Sequence, residues 1–196
     1  GVVDSLAAGA RAGRALKDRI RSEERLTGSV GVAPTKFLAK LASDLEKPDG
    51  LVVFPLEDVR ARLWPLPVER LWGVGPKSAE RLRALGITTI GDVSRTEAQA
   101  LRLGLGKAAA HHLLSLARGE DARAVVPSRE ARSLSEERTY AEDLRAADQI
   151  EQALLARAEG VARALRREDL AARTVHLKVR SGDFETWSRS LTLPVP

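Results

Sequence analysis

One stretch near the middle of the chain, Leu71–Ile87, limits the conformations open to it most strongly, with the sequence LWGVGPKSAERLRALGI. Gly73 and Gly75 have no Cβ, so they can adopt positive φ angles and let the backbone turn sharply or approach another molecule closely. Pro76 suits the first position of a helix, because the N–H that proline lacks would have no partner there. The sequence therefore predicts a glycine turn followed by a helix over about Lys77–Leu85.

The start of this predicted helix has the properties of a phosphate site. The first N–H groups of a helix have no acceptor within it, and the helix dipole makes this end positive, so a phosphate oxygen binds well there. Gly73 would allow the close approach, and basic side chains at Arg81 and Arg83 add positive charge on or near the helix. We therefore expect a helix-hairpin-helix element that binds a nucleic-acid backbone without reading bases. The free N–H groups are expected at Val74, Gly75, Lys77 and Ser78.

The distribution of charge points to the same kind of partner. The chain has 32 Lys and Arg against 27 Asp and Glu, a net charge of +5. The excess lies in residues 60–118, which contain ten basic and four acidic side chains, whereas residues 1–59 and 128–196 are each balanced. A basic cluster alone is equally consistent with an ordinary solvated surface. Its coincidence with the glycine hairpin favours a polyanion, and nucleic acid in particular.

Composition excludes several other classes of protein. Aromatic residues make up only 4% of the chain, which argues against a platform that stacks bases on rings. The absence of cysteine excludes disulfides and thiolate metal sites. No run of 18 apolar residues and no secretory signal is visible in the sequence. We therefore expect a cytoplasmic protein that makes no contact with a membrane.

The first part of the chain has the pattern of a partial α/β layer. Residues 5–26 have apolar residues at helical spacing, and the short apolar run at residues 27–33 predicts a buried strand. Thr35 is a candidate N-cap for a helix over Lys36–Glu46. After a turn, Leu51–Phe54 is predicted to form a second strand. These elements are part of an α/β layer and do not make a complete domain.

The next part, residues 56–120, is predicted to be all-helical. The segment Gly104-Leu105-Gly106-Lys107 repeats the glycine spacing of the hairpin, and would form either a second phosphate contact or an ordinary helix start. His111 and His112 have no third ligand nearby, so we expect packing or surface roles and not a metal site. Beside the helix of the hairpin, short helices are predicted at Leu56–Trp64, Thr89–Ser94, Thr96–Leu103 and Lys107–Ala117.

The C-terminal part, which follows a polar link, predicts an α+β module. Residues 131–140 alternate in a strand-like way, and Ala146–Arg167 has apolar residues at helical spacing. Thr174–Arg180 alternates strictly, and a turn at residues 181–183 leads to Phe184–Leu193 as its hairpin partner. The alternation divides the first strand into a set expected to face inward, Val175, Leu177 and Val179, and a set expected to face outward, His176, Lys178 and Arg180.

Three separate motifs occur in an order that resembles bacterial Y-family translesion DNA polymerases of the DNA polymerase IV type. They are SVGVAPTKFLAKLASDLEKPDGL, then LPVERLWGVGPKSAERLRALGITTIGDV, then LARGED with SREARSLSEERTY. The resemblance extends from about Ala12 to Pro196 and implies an α+β multidomain protein. Residues 1–55 would be the C-terminal part of an α/β palm and 56–120 an all-helical thumb that contains the helix-hairpin-helix. Residues 121–128 would be a linker and 129–196 an incomplete α+β little-finger domain.

The resemblance also implies which functional residues the chain has. Members of the family hold two metal ions, expected to be Mg²⁺, with an aspartate near their N-terminus and an Asp-Glu pair on a palm strand. Neither motif occurs in this sequence, and the context of Asp4 does not match, so no catalytic or metal-binding residue is predicted. Lys47 occupies the place of the lysine that contacts the incoming deoxynucleoside triphosphate. Arg132, Lys178 and Arg180 are candidates for template-strand phosphates, with a solvated sheet face as the alternative for the last two.

Two functions from different classes remain open. The chain is either the DNA-binding fragment of a translesion polymerase, or a polymerase-derived module that lost catalysis and docks DNA or partner proteins. The sequence encoded before Gly1 would distinguish them. The expected partners are a DNA primer-template, the deoxynucleoside triphosphate in the intact parent and a sliding clamp, with the chain itself a monomer. Because it lacks the metal-binding carboxylates, the chain alone is expected not to polymerise.

Overall fold

The chain forms two compact units, residues 1–127 and 128–196. They are seen in a computed structural model, which describes residues 5–127 and 133–195. No helix in these two ranges combines the length and the apolar character that crossing a membrane requires. Each unit mixes helices with a small two-stranded sheet, which confirms an α+β fold with more than one unit.

The first unit opens with helix α1 (Leu6–Arg19), which continues as a π-helical turn over Ile20–Glu24. Ser5 caps it, because its hydroxyl accepts a hydrogen bond from the N–H of Ala8 at 3.1 Å. The helix predicted over residues 5–26 is therefore confirmed over most of its length.

Two short parallel strands, β1 (Val30–Val32) and β2 (Leu51–Val53), flank helix α2 (Lys36–Leu45). The predicted N-cap of α2 is confirmed, since the hydroxyl of Thr35 accepts a hydrogen bond from the N–H of Leu38. Helix α2 crosses β1 so closely that a Cβ on the middle residue of the strand would meet helix backbone. The start of α2 contacts the segment that follows residue 117, since the hydroxyl of Thr35 donates to the carbonyl of Gly119 at 3.2 Å.

The segment between the prolines at 55 and 65 differs from the prediction. It forms a 3₁₀ turn over Leu56–Asp58 and a π-helical turn over Val59–Leu63, where an α-helix over Leu56–Trp64 was expected. The backbone hydrogen bonds between the two prolines follow 3₁₀ and then π spacing in place of α spacing. Val59 and Leu63 still reach the core, with exposures of 6% and 0%.

Four further helices complete the first unit: α3 (Pro76–Ala84), α4 (Ile90–Arg95), α5 (Ala98–Leu105) and α6 (Lys107–Ala117). Their buried side chains join those of α2 and β2 in one continuous cluster that runs from Phe37 to Ala117. This core crosses position 55, where the sequence places the boundary between palm and thumb. The division into palm, thumb and linker stays a prediction.

The second unit consists of helix α7 (Ala147–Arg167) and an antiparallel hairpin of β3 (Thr174–Arg180) and β4 (Thr186–Thr192). The strand expected at residues 131–140 is not found in its described part, residues 133–140, which forms no ladder with another strand. Its side chains instead make ion pairs, Glu136 with Arg157 at 3.2 Å and Glu137 with Lys178 at 3.0 Å.

The expectation that one face of β3 is buried is wrong. The alternation itself is present, because Val175 lies opposite Leu191, and Val179 lies opposite Trp187. The apolar face is nevertheless open, with Val175 at 55% and Leu177 at 39% exposure. A sheet of two strands has no second layer of its own, so alternation alone does not bury either face.

Candidate nucleic-acid interface

The candidate site is the glycine hairpin that leads into α3. A one-turn 3₁₀ helix, Val68–Arg70, precedes it, and the carbonyl of Leu71 accepts a hydrogen bond from Val74 N–H at 3.1 Å. Pro76 occupies the start of α3, as the sequence predicts. The side chain of Leu71 is 1% exposed, so it anchors the turn in the core and leaves the next residues at the surface.

The two glycines of the hairpin differ in conformation. Gly73 has φ +98°, a backbone conformation that other residues rarely adopt. Gly75 has φ −89° and ψ 178°, which is ordinary extended backbone, so the positive φ considered for it is not used. A Cβ on Gly75 would meet no atom within 4 Å. The fold therefore needs a glycine at position 73 only, and position 75 is left bare toward solvent.

The N–H groups at the start of α3 are available to a ligand. Among the backbone hydrogen bonds of the described residues, none uses the N–H of Gly75, Lys77 or Ser78, and no side chain caps the helix. The expectation that the N–H of Val74 is free is wrong, because this group donates to the carbonyl of Leu71. Three N–H donors at the positive end of a helix, beside a residue without a side chain, make a favourable position for a phosphate oxygen.

Charged side chains around the hairpin leave a positive surface. Arg83 forms an ion pair with Glu69. In the described parts of the chain no ion pair involves Lys77 or Arg81. Lys77 and Arg81 are both exposed, so their charge is available to a polyanion.

Helix α4 holds the chain that leaves the hairpin. Val68 N–H donates to the carbonyl of Thr88 at 2.9 Å, which joins the entry and the exit of the element. The exit is fixed by a capping box in which Asp92 Oδ2 accepts from Thr89 N–H at 2.8 Å and from Thr88 N–H at 3.1 Å. These hydrogen bonds hold the pKa of the Asp92 carboxyl well below its usual range. The one from the Thr89 backbone contributes most.

The second glycine turn has only part of the same geometry. Gly106 has φ +87°, and a Cβ there would meet no atom within 4 Å. It precedes α6 without a side-chain cap, like the residue before α3. Gly104 instead lies inside α5, where a Cβ would come within 2.9 Å of Leu85 Cδ1. A phosphate contact at this second turn stays a prediction.

Lys47, predicted to contact a triphosphate, lies in an ion pair. Its Nζ is 2.6 Å from Asp44 Oδ1, and Asp44 also pairs with Lys40. Hydrogen bonds from Lys40 and then Lys47 lower the pKa of the Asp44 carboxyl to about 2. The Lys47 side chain is 62% exposed, so a phosphate group could compete with Asp44 for it in solvent. The assignment stays a prediction.

One half-buried lysine that the sequence reasoning missed fixes the turn after Lys47. Lys17 Nζ donates to the carbonyl of Gly28 at 2.8 Å and to Asp49 Oδ1 at 2.6 Å. Its side chain is only 14% exposed. In the sequence it is one basic residue among several on an amphipathic helix, so no local signal distinguishes it.

The residues of the second unit predicted to contact template-strand phosphates differ in their surroundings. Lys178 pairs with Glu137, and Arg180 Nε donates to Thr186 Oγ1 at 3.0 Å. Both side chains are exposed on the polar face of the hairpin together with His176. Arg132 lies outside the described residues.

The sequence reasoning also missed a contact to the hairpin from residues assigned to the linker. Asp121 and Arg123 form an ion pair at 2.7 Å, and the Arg123 guanidinium lies 4.3 Å from the centroid of the Trp72 ring. Pairing with Asp121 raises the pKa of Arg123 and lowers that of Asp121. The tryptophan directly before the glycine turn marks one partner of this contact, but nothing in the sequence marks Arg123 as the other.

The described residues do not fit a catalytic metal pair. Across residues 5–127 and 133–195, no group of three or more His, Asp or Glu side chains comes together. His112 instead packs against the hairpin, with its ring 3.8 Å from the place of a Cβ on Gly73. No chemical step through a metal is therefore derived from this chain.

Three family models match the chain in the order of its elements. The impB/mucB/samB family matches residues 2–44, the IMS family HHH motif matches residues 57–87, and the impB/mucB/samB family C-terminal domain matches residues 131–196. The second of these covers the glycine hairpin and helix α3.

Curated relatives and a solved structure agree with these models. The chain is 45% identical over 183 residues to DNA polymerase IV of Halorhodospira halophila, covering 93% of this chain and 51% of that protein. It is 44% identical to DNA polymerase IV of Streptomyces coelicolor, covering 94% of this chain and 39% of that protein. The chain thus spans about half the length, or less, of these relatives.

One similar solved structure is a Y-family DNA polymerase chimera, Dbh-Dpo4(243-245)-Dbh. It matches with a TM-score of 0.75 and 26% identity, over 97% of this chain and 54% of that one. The ordered family models, the identity to the curated relatives and this structural match give one conclusion: the chain belongs to the Y family of DNA polymerases, of the DNA polymerase IV type.

Proposed function

We propose that this chain supplies the DNA-binding part of a Y-family polymerase and binds the sugar–phosphate backbone of a primer-template through the glycine hairpin. The observation that carries the proposal is the bare start of α3, where the N–H groups of Gly75, Lys77 and Ser78 have no described backbone acceptor. Such donors contact phosphate and carry no information about base identity.

The activity proposed for the whole polymerase is DNA-templated nucleotidyl transfer with Mg²⁺ during synthesis past damaged bases. In that reaction Lys47 would bind the β/γ phosphates of the incoming deoxynucleoside triphosphate, where a point positive charge offsets theirs. Lys178, Arg180 and Arg132 would contact the template strand. A sliding clamp is a further proposed partner of the polymerase.

Binding is tested by fluorescence anisotropy of labelled duplexes at increasing salt. If three phosphates are neutralised, the affinity should fall about 40-fold between 50 and 200 mM salt, from a slope of about −0.9 per phosphate. The fall should be the same on duplexes of unrelated sequence. An affinity that does not change with salt would contradict the proposal.

A second candidate function is a docking module without catalysis. The observation in its favour is the exposed apolar face of β3, with Val175 at 55% and Leu177 at 39% exposure, which a partner protein would cover. A primer-extension assay with this chain and Mg²⁺ should give no product under either function. Clear product would overturn that expectation and would also exclude the second candidate. Restored extension on adding the N-terminal half of a DNA polymerase IV relative in trans would favour the polymerase.

A further inference from the structure

The segment that follows α6 is held tightly to the first turn of α2. Asp121 Oδ2 accepts a hydrogen bond from Phe37 N–H at 3.1 Å, and the Asp121 side chain is 2% exposed. The hydroxyl of Thr35 donates to the carbonyl of Gly119 at 3.2 Å, and Lys36 Nζ donates to the carbonyl of Ala124 at 3.3 Å. This short segment is therefore a fixed part of the first unit, although its composition is that of a linker.

The same segment holds one arginine in a fixed orientation. Arg123 Nε donates to Asp121 Oδ1 at 2.7 Å, and Nη2 donates to Asp121 Oδ2 at 2.8 Å. A guanidinium bound by two parallel hydrogen bonds is fixed in plane as well as in position. The carboxylate of this pair is nearly inaccessible to solvent, whereas the Arg123 side chain is 42% exposed.

The fixed guanidinium lies against the glycine hairpin. Its carbon is 4.3 Å from the centroid of the Trp72 ring, within the range of a cation–π contact. Trp72 is joined directly to Gly73, whose φ of +98° sets the direction of the turn. A contact that fixes the indole therefore also limits rotation of the backbone that enters the turn.

We propose that Arg123 is a positioning residue for the phosphate-binding hairpin. Arg123 is held by Asp121, whose carboxylate is bound to the first turn of α2. Arg123 fixes Trp72 and so keeps the N–H groups of Gly75, Lys77 and Ser78 in the arrangement that binds DNA. The inference rests on the proposed function. Because Nε and Nη2 of Arg123 donate to Asp121, we assign its action to the contact with Trp72, and the salt dependence of binding tests whether the remaining Nη1 group contacts a phosphate.

The test compares variants that keep the net charge. Arg123→Lys keeps the positive charge but loses the planar stack and the paired hydrogen bonds, so duplex DNA should bind about fivefold more weakly. The slope of affinity against salt should stay unchanged because the positive charge is kept. It should stay unchanged as well in a further variant without that charge, Arg123→Gln, since no phosphate contact is removed. Arg19→Lys, in an exposed ion pair with Glu23 on α1, is the matched control and should bind like the unchanged chain.

A spectroscopic measurement separates positioning from a general loss of structure. The chain has three tryptophans, and after 5-fluorotryptophan labelling the ¹⁹F resonance that is missing in Trp72→Phe belongs to Trp72. Arg123→Lys should shift that resonance and leave the other two in place. If Arg123→Lys does not fold, Trp72→Phe takes its place in the binding test. The smaller ring should stack more weakly on Arg123, so this variant should bind duplex DNA more weakly, with an unchanged slope of affinity against salt.

The outcomes distinguish this inference from the proposed function. No DNA binding by the unchanged chain would contradict both. Equal binding by the unchanged chain and Arg123→Lys, or an unshifted Trp72 resonance, would overturn the positioning role alone. A salt slope smaller in magnitude by about 0.9 in Arg123→Gln, which removes the charge that lysine would keep, would also overturn it, since that is the signature of a lost phosphate contact.

Discussion

Gly73 and Gly75 are two residues apart, but the structure requires a glycine at only one of these positions. Gly73 has a positive φ angle, and its place near His112 is part of the turn. Gly75 has an extended conformation that any residue can adopt, and open space lies where its side chain would be. Sequence alone could not separate these two roles, because both positions follow one GxG pattern.

Replacing Gly75 should therefore affect DNA binding, whereas replacing Gly73 should affect the stability of the fold. Gly75→Val should weaken DNA binding about tenfold on every sequence, because the branched side chain keeps phosphate away from the N–H groups. The hydrogen bonds lost would contribute ~1.5 kcal/mol or more to the binding free energy. Its free energy of unfolding should change by less than about 0.5 kcal/mol, since the loss of a glycine N-cap and the reduced entropy of the unfolded chain offset each other. Gly73→Ala should instead lower the free energy of unfolding by about 1–2 kcal/mol.

Urea unfolding and anisotropy on the same protein samples would measure both effects. A loss of binding by Gly75→Val that depends on base sequence would contradict a backbone contact. A Gly73→Ala variant as stable as the unchanged chain would show that the turn does not need glycine.

Asp92 should make the first unit less stable in acid. The pKa of its carboxyl is lowered by hydrogen bonds from Thr89 and Thr88 in the folded state, so its contribution is complete above the unfolded pKa of about 3.9. That contribution is lost as the pH falls through the folded pKa. Asp92→Asn should cost about 1 kcal/mol at pH 7, and the difference from the unchanged chain should shrink below about pH 4.

Thermal or urea unfolding at pH 7, 4 and 3 measures this difference. Glu80→Gln is the control, because the Glu80 carboxylate accepts no hydrogen bond among the described residues. A gap between the Asp92 variant and the unchanged chain that stays constant with pH would contradict the assignment to charge.

At the scale of elements, the close crossing of α2 over β1 depends on Gly31. A Cβ there would stand 2.0 Å from the carbonyl oxygen of Ala39 and 2.4 Å from the backbone nitrogen of Ser43. Both are backbone atoms, so no side chain can rotate away. Gly31→Ala should therefore lower the free energy of unfolding by about 3 kcal/mol or more, at the upper end of the cost of overpacking.

Gly28→Ala is the matched control, because the same addition there meets only the tip of Ile20 at 3.4 Å. Equilibrium unfolding in urea would show a large difference between the two variants. Equal stabilities would mean that α2 can move away from β1 without cost.

Capped or strongly periodic elements were predictable from the sequence, and those determined by tertiary contacts were not. Helix α2 begins after Thr35 and α3 begins at Pro76, as their capping residues indicate. The strand expected within residues 131–140 failed in its described part, because alternation shows which residues share a face but not whether a partner strand exists. The Arg123 contact to Trp72 was invisible, because it joins residues 51 positions apart whose sequence carries no shared pattern.

At the scale of the whole chain, burial is unequally divided. Every buried apolar side chain among the described residues lies in the first unit, between Phe37 and Ala117. In the second unit, large side chains such as Phe184 and Trp187 are 78% and 51% exposed. Few buried contacts mean that local opening costs little free energy.

Hydrogen exchange measured by mass spectrometry should reflect this division. Amides of α5 and α6 should exchange most slowly, because they open only with the whole first unit. Amides of α7 should exchange at least about tenfold faster, given an opening free energy lower by roughly 1.4 kcal/mol or more. Equal protection of α6 and α7 would show that the second unit buries more than its side chains indicate.

The single core of the first unit links the hairpin to elements that a phosphate at α3 would never touch. Ligand that binds only the folded state stabilises the whole cooperative unit, by about 2.7 kcal/mol when its concentration is a hundred times Kd. Because Phe37 and Leu82 belong to one cluster, DNA bound at the hairpin also lowers the fraction of time that α2 and β2 spend unfolded. The lysine-bearing turn between those two elements is thus kept ordered by occupancy of the distant hairpin, a thermodynamic linkage between backbone binding and the proposed triphosphate contact.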